Sequence, residues 1–362
     1  GLIFAGITFI WLFYLTVIKK RIGFKALVLW TLCFLVPFLA YFFWRWSYYG
    51  RLLPNTFYVK VGGGSLYHAG ILYVFDFVKR FWLWSLIIPL AFLNKAIRLN
   101  IKLKMIIPYF ATLSAIFSLY VIYVGGDFMD MFRFLVPILP FFFFLAQEGF
   151  RGIYYYSQSI MNRQNSINKK HCTKSQQTGI KNKKAILITM EIGLIILSVI
   201  FLVYPSKESN RAWNRNGIDS IGLLKEYTRL WSKVGMMFKE IAKPGESLSI
   251  GAAGAIPYYS GLYTIDELCL TLKSYPELKF IKVQRAGHQM MITNDFLASL
   301  KPTYIVGHPQ LYDKYEQPEV FNAGVKLAQV GYKLAVIPIK ISEKETKYFY
   351  CVTLRKFDSE NN

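Results

Sequence analysis

Long apolar runs, each bordered on at least one side by Lys or Arg, constrain this chain more than any other feature. Leu2 to Ile18 is almost wholly apolar and stops at Lys19, Lys20 and Arg21; Ala26 to Trp44 lies between Lys25 and Arg45; Met105 to Val124 is a third such run. Roughly 20 apolar residues in a helix cross ~30 Å of hydrocarbon. Phe81 to Leu93 is shorter, and apolar residues from Ile71 onward lengthen it only at the cost of Asp76, Lys79 and Arg80. Phe134 to Ala146 carries Pro137 and Pro140, which predicts a kinked or partly re-entrant helix. Ala185 to Tyr204 holds a single charge, Glu191. The expected fold is therefore an α-helical polytopic membrane protein of about six spans over residues 1–204, followed by a soluble α/β domain over 205–362.

The charge pattern orients those spans. Lys and Arg collect in loops on the cytoplasmic side. Lys19, Lys20, Arg21 and Lys25 form one basic connection, and Lys95, Arg98, Lys102 and Lys104 a second. Arg151 to Lys184 forms a third, with Arg163, Lys169, Lys170, Lys174, Lys181 and Lys183 and no acid. Six antiparallel crossings put all three on one side. Arg45 to Arg80, Gly125 to Arg133 and everything after Pro205 then face outward, so that the C-terminal domain is extracytoplasmic. The net charge of +22 would suggest nucleic acid on a soluble domain; distributed over these loops it argues against that partner and for the lipid bilayer. Only 18% of residues are charged, against about 25% in an ordinary soluble domain. Asn162 to Lys184 reads as a flexible loop. The chain opens on Gly1 within an apolar run, has no signal-peptide pattern, and reads as part of a longer or processed polypeptide.

After Pro205 the pattern changes. Ile221 to Ile241 has helical apolar spacing, Pro244-Gly245 marks a turn, and Ser247 to Gly251 reads as a short buried strand. Thr303 to Gly307 and Leu334 to Ile337 are further strands, the second stopped by Pro338, and Tyr348 to Leu354 closes the sheet. Of the four cysteines, Cys269 and Cys351 fall in this domain; two small buried thiols is the plainer expectation and a disulfide the alternative.

Two outward loops carry candidate chemistry. The first reads Arg45-Trp-Ser-Tyr48-Tyr49-Gly50-Arg51-Leu-Leu-Pro54-Asn55-Thr56-Phe-Tyr-Val-Lys60. Cations among rings suit a lipid-borne phosphate, or simply anchor an interfacial loop. The second reads Gly125-Gly126-Asp127-Phe128-Met129-Asp130-Met131-Phe132-Arg133. A carboxylate there can take a proton from a sugar hydroxyl, or help hold a divalent cation against phosphate; the plainer reading is a Gly-Gly turn with Asp127 paired to Arg133. In the C-terminal domain Gly251-Ala-Ala-Gly254-Ala-Ile-Pro257-Tyr258-Tyr-Ser260-Gly261 follows a strand, where small residues let a ligand approach the backbone, with Asp266 and Gly287-His288 as polar contacts. Gly62-Gly63-Gly64-Ser65 lacks the lysine of a phosphate loop and reads as a hinge. No HxH, HExxH or CxxC spacing and no GxSxG elbow occurs, so no metal site is expected from histidine or cysteine and a serine hydrolase is disfavoured.

The blocks Tyr48-Tyr-Gly-Arg-Leu-Leu-Pro-Asn-Thr-Phe-Tyr-Val-Lys60, Gly125-Gly-Asp-Phe-Met129 with Arg133 and Pro137, and Gly254-Ala-Ile-Pro-Tyr-Tyr259 with Asp266 occur in this order. Together they resemble the bacterial GT-C membrane glycosyltransferases akin to the mycobacterial terminal β-arabinofuranosyltransferase, and proteins named for flagellar motor control. The resemblance implies inverting transfer of a sugar from a polyprenyl-phosphate donor to an envelope glycan or glycolipid at the outer face. It implies Asp127 and Arg133 as catalytic residues, with Gly126 and Asp130 beside them. Arg45, Tyr48, Tyr49, Asn55, Thr56 and Lys60 would lie near the donor, and Tyr258, Asp266 and His288 in a domain that helps bind the acceptor. No cofactor is implied beyond the lipid-linked sugar and a possible divalent cation. The superfamily's usual acidic loop between the first two spans has no counterpart in these residues, and the chain reads as starting after it. Cys269 stands where the resemblance implies Gly. The alternative of a different class is a non-catalytic membrane scaffold or motility and polar-assembly factor on the same fold.

Overall fold

The computed structural model describes residues 1–54, 57–58, 66–93, 101–168, 206–215, 217–271, 291–315 and 331–354, with single positions at 189, 192, 193, 196, 199 and 203. The chain divides into a helical unit, Gly1–Leu52 with Leu66–Glu208, and a second unit, Leu53–Ser65 with Ser209–Asn362.

The helical unit begins with α1 (Leu2–Phe13), continued by a π-helical turn, Tyr14–Ile18, and then α2 (Phe24–Tyr49). Next come α3 (Tyr67–Arg80), α4 (Trp82–Leu93) and α5 (Ile101–Val124). A 3₁₀ turn, Arg133–Ile138, leads into α6 (Leu139–Asn168). Three stretches are helical, long and apolar enough to cross a membrane: Phe24–Tyr49, Lys102–Val124 and Arg133–Ile153. Leu2–Ile18 is apolar but shorter. Phe81 breaks the run between α3 and α4 with φ −104° and ψ 32°, and α4 alone has 12 residues, about 18 Å of helix. Ala185 to Tyr204 lies almost entirely outside the described residues. The expected kink at Pro137 and Pro140 is present: the 3₁₀ turn contains Pro137, and Pro140 sits in the first turn of α6, where its missing N–H costs nothing. The expected loop from Asn162 is helical as far as Asn168, and its remainder lies outside the described residues, as does the Gly62–Ser65 hinge.

Close approach of backbones holds these helices together. A Cβ added at Gly70 on α3 would overlap the Ile122 backbone of α5, and one at Gly149 on α6 would overlap the Ile87 carbonyl of α4. Lipid tails are as apolar as leucine, so such tight packing takes the place of the hydrophobic drive available in water. Aromatic edges fill the seams: Phe77 meets Phe142 at 5.4 Å and Trp84 meets Phe143 at 5.7 Å. One polar bond ties α1 to α5, between the Thr8 and Tyr109 hydroxyls at 2.6 Å.

In the second unit a two-residue ribbon, β1 (Asn214–Arg215) with β2 (Ile218–Asp219), precedes α7 (Ile221–Ile241). Ser220 caps α7, its Oγ accepting from the Leu223 N–H at 3.1 Å. The sheet contains β3 (Ser247–Ile250), β4 (Tyr263–Asp266), β5 (Tyr304–Gly307), β6 (Leu311–Tyr312), β7 (Lys333–Ser342) and β8 (Glu345–Thr353), with the short helices α8 (Ala255–Ser260) and α9 (Asn294–Leu300). β3 runs parallel to β4 on one side and to β5 on the other. β8 is antiparallel to β5 and β6 along one edge and to β7 along the other. It is thus an interior strand, where the sequence pattern suggested a closing one. Pro338 does not stop β7, which runs on to Ser342; β7 pairs only with β8 among the described strands, and an edge strand tolerates a proline whose missing N–H would face outward.

Two apolar clusters sandwich this sheet. Val234, Phe238, Leu248, Ile250, Ile256, Phe349 and Cys351 form one; Ile265, Cys269, Ile292, Leu297 and Ile305 form the other. The alternation Leu248, Ser249, Ile250 sends the serine to the second face. Cys269 and Cys351 thus belong to different clusters and are not bridged to each other. Burial pushes each thiol up to about 12.

The packing is open to test at two points. Gly149→Leu should destabilise the helical unit by about 1–3 kcal/mol through overpacking, read as a lowered unfolding temperature in detergent; an unchanged temperature refutes the close approach. With Cys33 and Cys172 replaced by Ser, the native chain at pH 8 should resist iodoacetamide and should react at both remaining thiols once unfolded.

Candidate functional site

The second outward loop forms the polar centre of the helical unit. α5 ends in a two-glycine cap: the Gly125 N–H donates to the Ile122 carbonyl at 3.2 Å and the Gly126 N–H to the Val121 carbonyl at 3.0 Å, the pairing of a Schellman end. Gly125 and Gly126 have φ +88° and +73°, which L side chains avoid. A Cβ at Gly126 would also stand 2.6 Å from the Tyr73 ring. The Gly-Gly pair therefore answers two demands, the left-handed turn and the closeness of α3.

The chain then turns Asp127 inward. Its Oδ1 accepts from the Phe128 N–H at 2.9 Å and from Arg133 Nη2 at 3.0 Å, while Arg133 Nε donates to Oδ2. This two-pronged pairing fixes both the carboxylate and the loop. The Asp127 side chain is 2% exposed and that of Arg133 45%, so the guanidinium covers the acid and presents its outer face, flanked by the Phe128 and Phe134 rings. The plainer sequence reading of Asp127, a pair with Arg133, is what the geometry contains.

Between them the backbone is strained. Met131 and Phe132 have φ +70° and +50°, which costs of order 1–2 kcal/mol per non-glycine residue. The Phe132 ring is clamped by Tyr73 and Phe77, each at 5.5 Å, and by the Arg80 guanidinium at 5.6 Å. Strain held by surrounding packing is characteristic of functional loops.

Asp130 Oδ2 and Arg80 Nη1 are buried with no hydrogen-bond partner among the described residues, and the buried Tyr73 hydroxyl makes only a loose contact to the Phe134 backbone. The Tyr73 phenol lies within electrostatic reach of Asp127, Arg133 and Asp130. Arg80 makes a looser contact to Glu208 at 3.7 Å through its other terminal nitrogen. Leaving such groups unsatisfied costs about 1–3 kcal/mol each, so each calls for an account beyond packing. Sequence reasoning overlooked Tyr73 and Arg80. Their spacing with Phe77, at intervals of four and three, puts all three on one face of α3, and that periodicity was the available signal.

Gly126, Asp127, Asp130 and Arg133 thus come together. Arg45 is buried and donates through Nη2 to the carbonyls of Arg51, at 3.0 Å, and Leu52; it secures the end of α2, which Gly50 caps at φ +67°. Tyr48 and Tyr49 are exposed there, their rings edge to face at 4.7 Å. Asn55, Thr56, Lys60 and His288 lie outside the described residues. Among the described residues no group of three His, Cys, Asp or Glu stands together as a metal site would require.

In the second unit Tyr258 is exposed on α8. Asp266 is buried and fully engaged: Oδ1 accepts from the Leu268 N–H, and Oδ2 from the N–H groups of Leu270 and Thr271 and the Thr271 hydroxyl, all within 3.2 Å. It builds the turn after β4. Cys269 lies in that turn at φ +59°, the conformation that glycine accommodates without strain. The neighbouring Glu267 is buried, and burial pushes its carboxyl above the usual range against the pull of its donors, Ser249 Oγ at 2.8 Å and the Gly307 N–H at 3.3 Å.

A family model described as "Domain of unknown function (DUF8728)" matches residues 219–353, which is α7 and the whole described sheet. No curated protein and no solved structure matches the chain. The molecule is thus a set of apolar helices, three of them suited to a bilayer, with a C-terminal α/β unit similar to that family.

Gly126→Ala should disrupt the mouth through both its φ and the Tyr73 ring, destabilising by about 1–3 kcal/mol; a variant as heat-stable as the parent contradicts the cap geometry. For Glu267 the sign runs one way: a folded-state pKa raised above the unfolded value stabilises below the unfolded value and loses that stabilisation as pH rises through the folded one. Glu267→Gln should therefore unfold later than the parent at pH 8, with the gain shrinking toward pH 4. A pH-independent difference would refute it.

Proposed function

We propose that this chain is a six-span bacterial inner-membrane glycosyltransferase that moves a sugar from a polyprenyl-phosphate donor to an envelope glycan or glycolipid on the outer face. The observation that carries the reading is the group of buried polar atoms around a strained loop where an apolar helix ends: Asp130 Oδ2 and Arg80 Nη1, without partners among the described residues, and the loosely held Tyr73 hydroxyl. An acid, a phenol and a cation suit a sugar phosphate at a membrane surface: the first two meet hydroxyls and the third meets the phosphate. The ordered motif blocks of the GT-C resemblance and the alternation of basic with motif-bearing loops support the same side and chemistry.

Asp127 is occupied by Arg133, so Asp130 is the base: its carboxylate oxygen takes the proton of the acceptor hydroxyl as the acceptor's own oxygen attacks the anomeric carbon. The bond from that carbon to the phosphate oxygen breaks on the opposite face, and polyprenyl phosphate leaves with the electron pair, inverting the centre. Asp127 positions Arg133, whose exposed guanidinium and the Arg80 cation balance the phosphate charge.

Membranes containing the full chain, given labelled polyprenyl-phosphate pentoses and hexoses, should transfer label to endogenous acceptor. Asp130→Asn should lower the rate about 100-fold or more while leaving the unfolding temperature unchanged. Arg80→Ala should act mainly on donor KM. Parental turnover in Asp130→Asn removes it as the base; absence of transfer from every donor favours the non-catalytic scaffold.

A further inference from the structure

In the parallel part of the sheet, the small residues that the sequence marked as open to a ligand lie beside an acid that it did not name, Glu267. The chain leaves β3 for β4 on one side, then returns through α9 to β5 on the other side of β3. Adjacent strands whose connections depart in opposite directions leave a crevice at their carboxyl ends, the usual ligand position in such sheets. Here the crevice is lined by glycine at both strand ends: Gly251 follows β3 and Gly307 ends β5, bonded by the Gly251 N–H to the Gly307 carbonyl at 2.8 Å.

Glu267, the first residue beyond β4, reaches into this crevice. Its backbone N–H donates to the Ile250 carbonyl at 3.0 Å, which pins it beside the end of β3. Oε1 takes both donors, Ser249 Oγ and the Gly307 N–H. Oε2 takes none among the described residues, and a Cβ built on either Gly251 or Gly307 would stand 3.9 Å from it. The residue is 4% exposed. A side chain at either glycine would cover the one carboxylate oxygen that no described residue uses.

We infer that this crevice is a saccharide site, with Glu267 Oε2 bonding ring hydroxyls that the two glycines allow to approach. An acid at the carboxyl end of the strand next to a glycine-ended strand is placed to hold the hydroxyls of a sugar ring. A hydroxyl both donates and accepts, so it serves Oε2 whether the acid is ionised or protonated. The dinucleotide alternative lacks its phosphate half, since α8 has only six residues. The inference rests on the transferase reading, whose acceptor glycan this site would hold, but on none of the residues that perform the transfer.

The test is saturation-transfer NMR on the full chain in detergent, with arabinose, mannose, galactose and adenosine as separate probes and no lipid donor. At least one monosaccharide should give a saturable signal. Gly251→Leu, whose Cβ makes only ordinary contacts, should abolish it. Glu267→Ala should weaken it about tenfold or more, because no group then meets the ring hydroxyl. Unfolding temperatures establish that both variants fold. Silence from every monosaccharide, a response to adenosine alone, or a signal that survives in either variant overturns the inference. Asp130→Asn should leave the signal intact, so that loss of transfer and loss of this site are read separately.

Discussion

The pairing of Asp127 with Arg133 is the interaction around which the helical unit's polar centre is arranged. α5 is apolar over its length, and its last carbonyls need partners where it ends. Gly125 and Gly126 supply them by a left-handed turn, and the carboxylate that comes next is at once neutralised by a guanidinium six residues on. A buried acid without that partner would be expelled or protonated. With it, the loop is closed tightly enough to hold Met131 and Phe132 in strained conformations. Phe132 then becomes the ring on which Tyr73, Phe77 and Arg80 pack. Each step depends on the previous one: cap, pair, strain, aromatic clamp.

Local periodicity made most of the legible features legible. Ile221 to Ile241 is helical over the range its apolar spacing gave, and the strand at Ser247 emerges one residue shorter than expected. Phe134 to Ala146 kinks where its prolines require. The misjudged features depend on neighbours distant in sequence. Pro338 interrupts a strand only if both edges need donors, and β7 is bonded along one. That Tyr348 to Leu354 runs inside the sheet is decided by β5 and β6. For the candidate site, Asp127, Asp130, Arg133 and Gly126 were legible because polar residues beside glycines at the end of an apolar run are conspicuous. Tyr73 and Arg80 were not, because Arg80 counted only as a charge that spoiled a span. Arg45 was visible as a cation, but its partners are carbonyls that only the folded turn brings within reach.

Cys269 shows how a family-level expectation and a physical one can meet. The resemblance put a glycine there, and the backbone has φ +59°, where glycine is free of strain. Cysteine accepts the strain because its thiol fills the second apolar cluster with Ile265, Ile292 and Leu297. Removing that thiol would leave a gap, so the two terms oppose each other and the turn persists. The Asp266 carboxylate, bonded to three backbone N–H groups beyond it, holds the turn whichever residue occupies the strained position.

Asp127, Asp130, Asp266 and Glu267, all buried, divide by how many of their oxygens the protein uses. Asp266 and Asp127 have both oxygens bonded within the chain and shape turns. Glu267 has one bonded and one facing glycines. Asp130 has a buried oxygen with no partner. Folding alone favours the first condition, since every buried acceptor left open costs stability that a neutral side chain would not. The further a carboxylate departs from it, the harder it is to explain by packing and the more weight a ligand must carry. On that scale Asp127, the most conspicuous acid in the sequence, is the best explained by structure, and Asp130 the least. Conspicuous sequence context identifies where an acid lies; the count of unbonded oxygens identifies which acid remains available for chemistry.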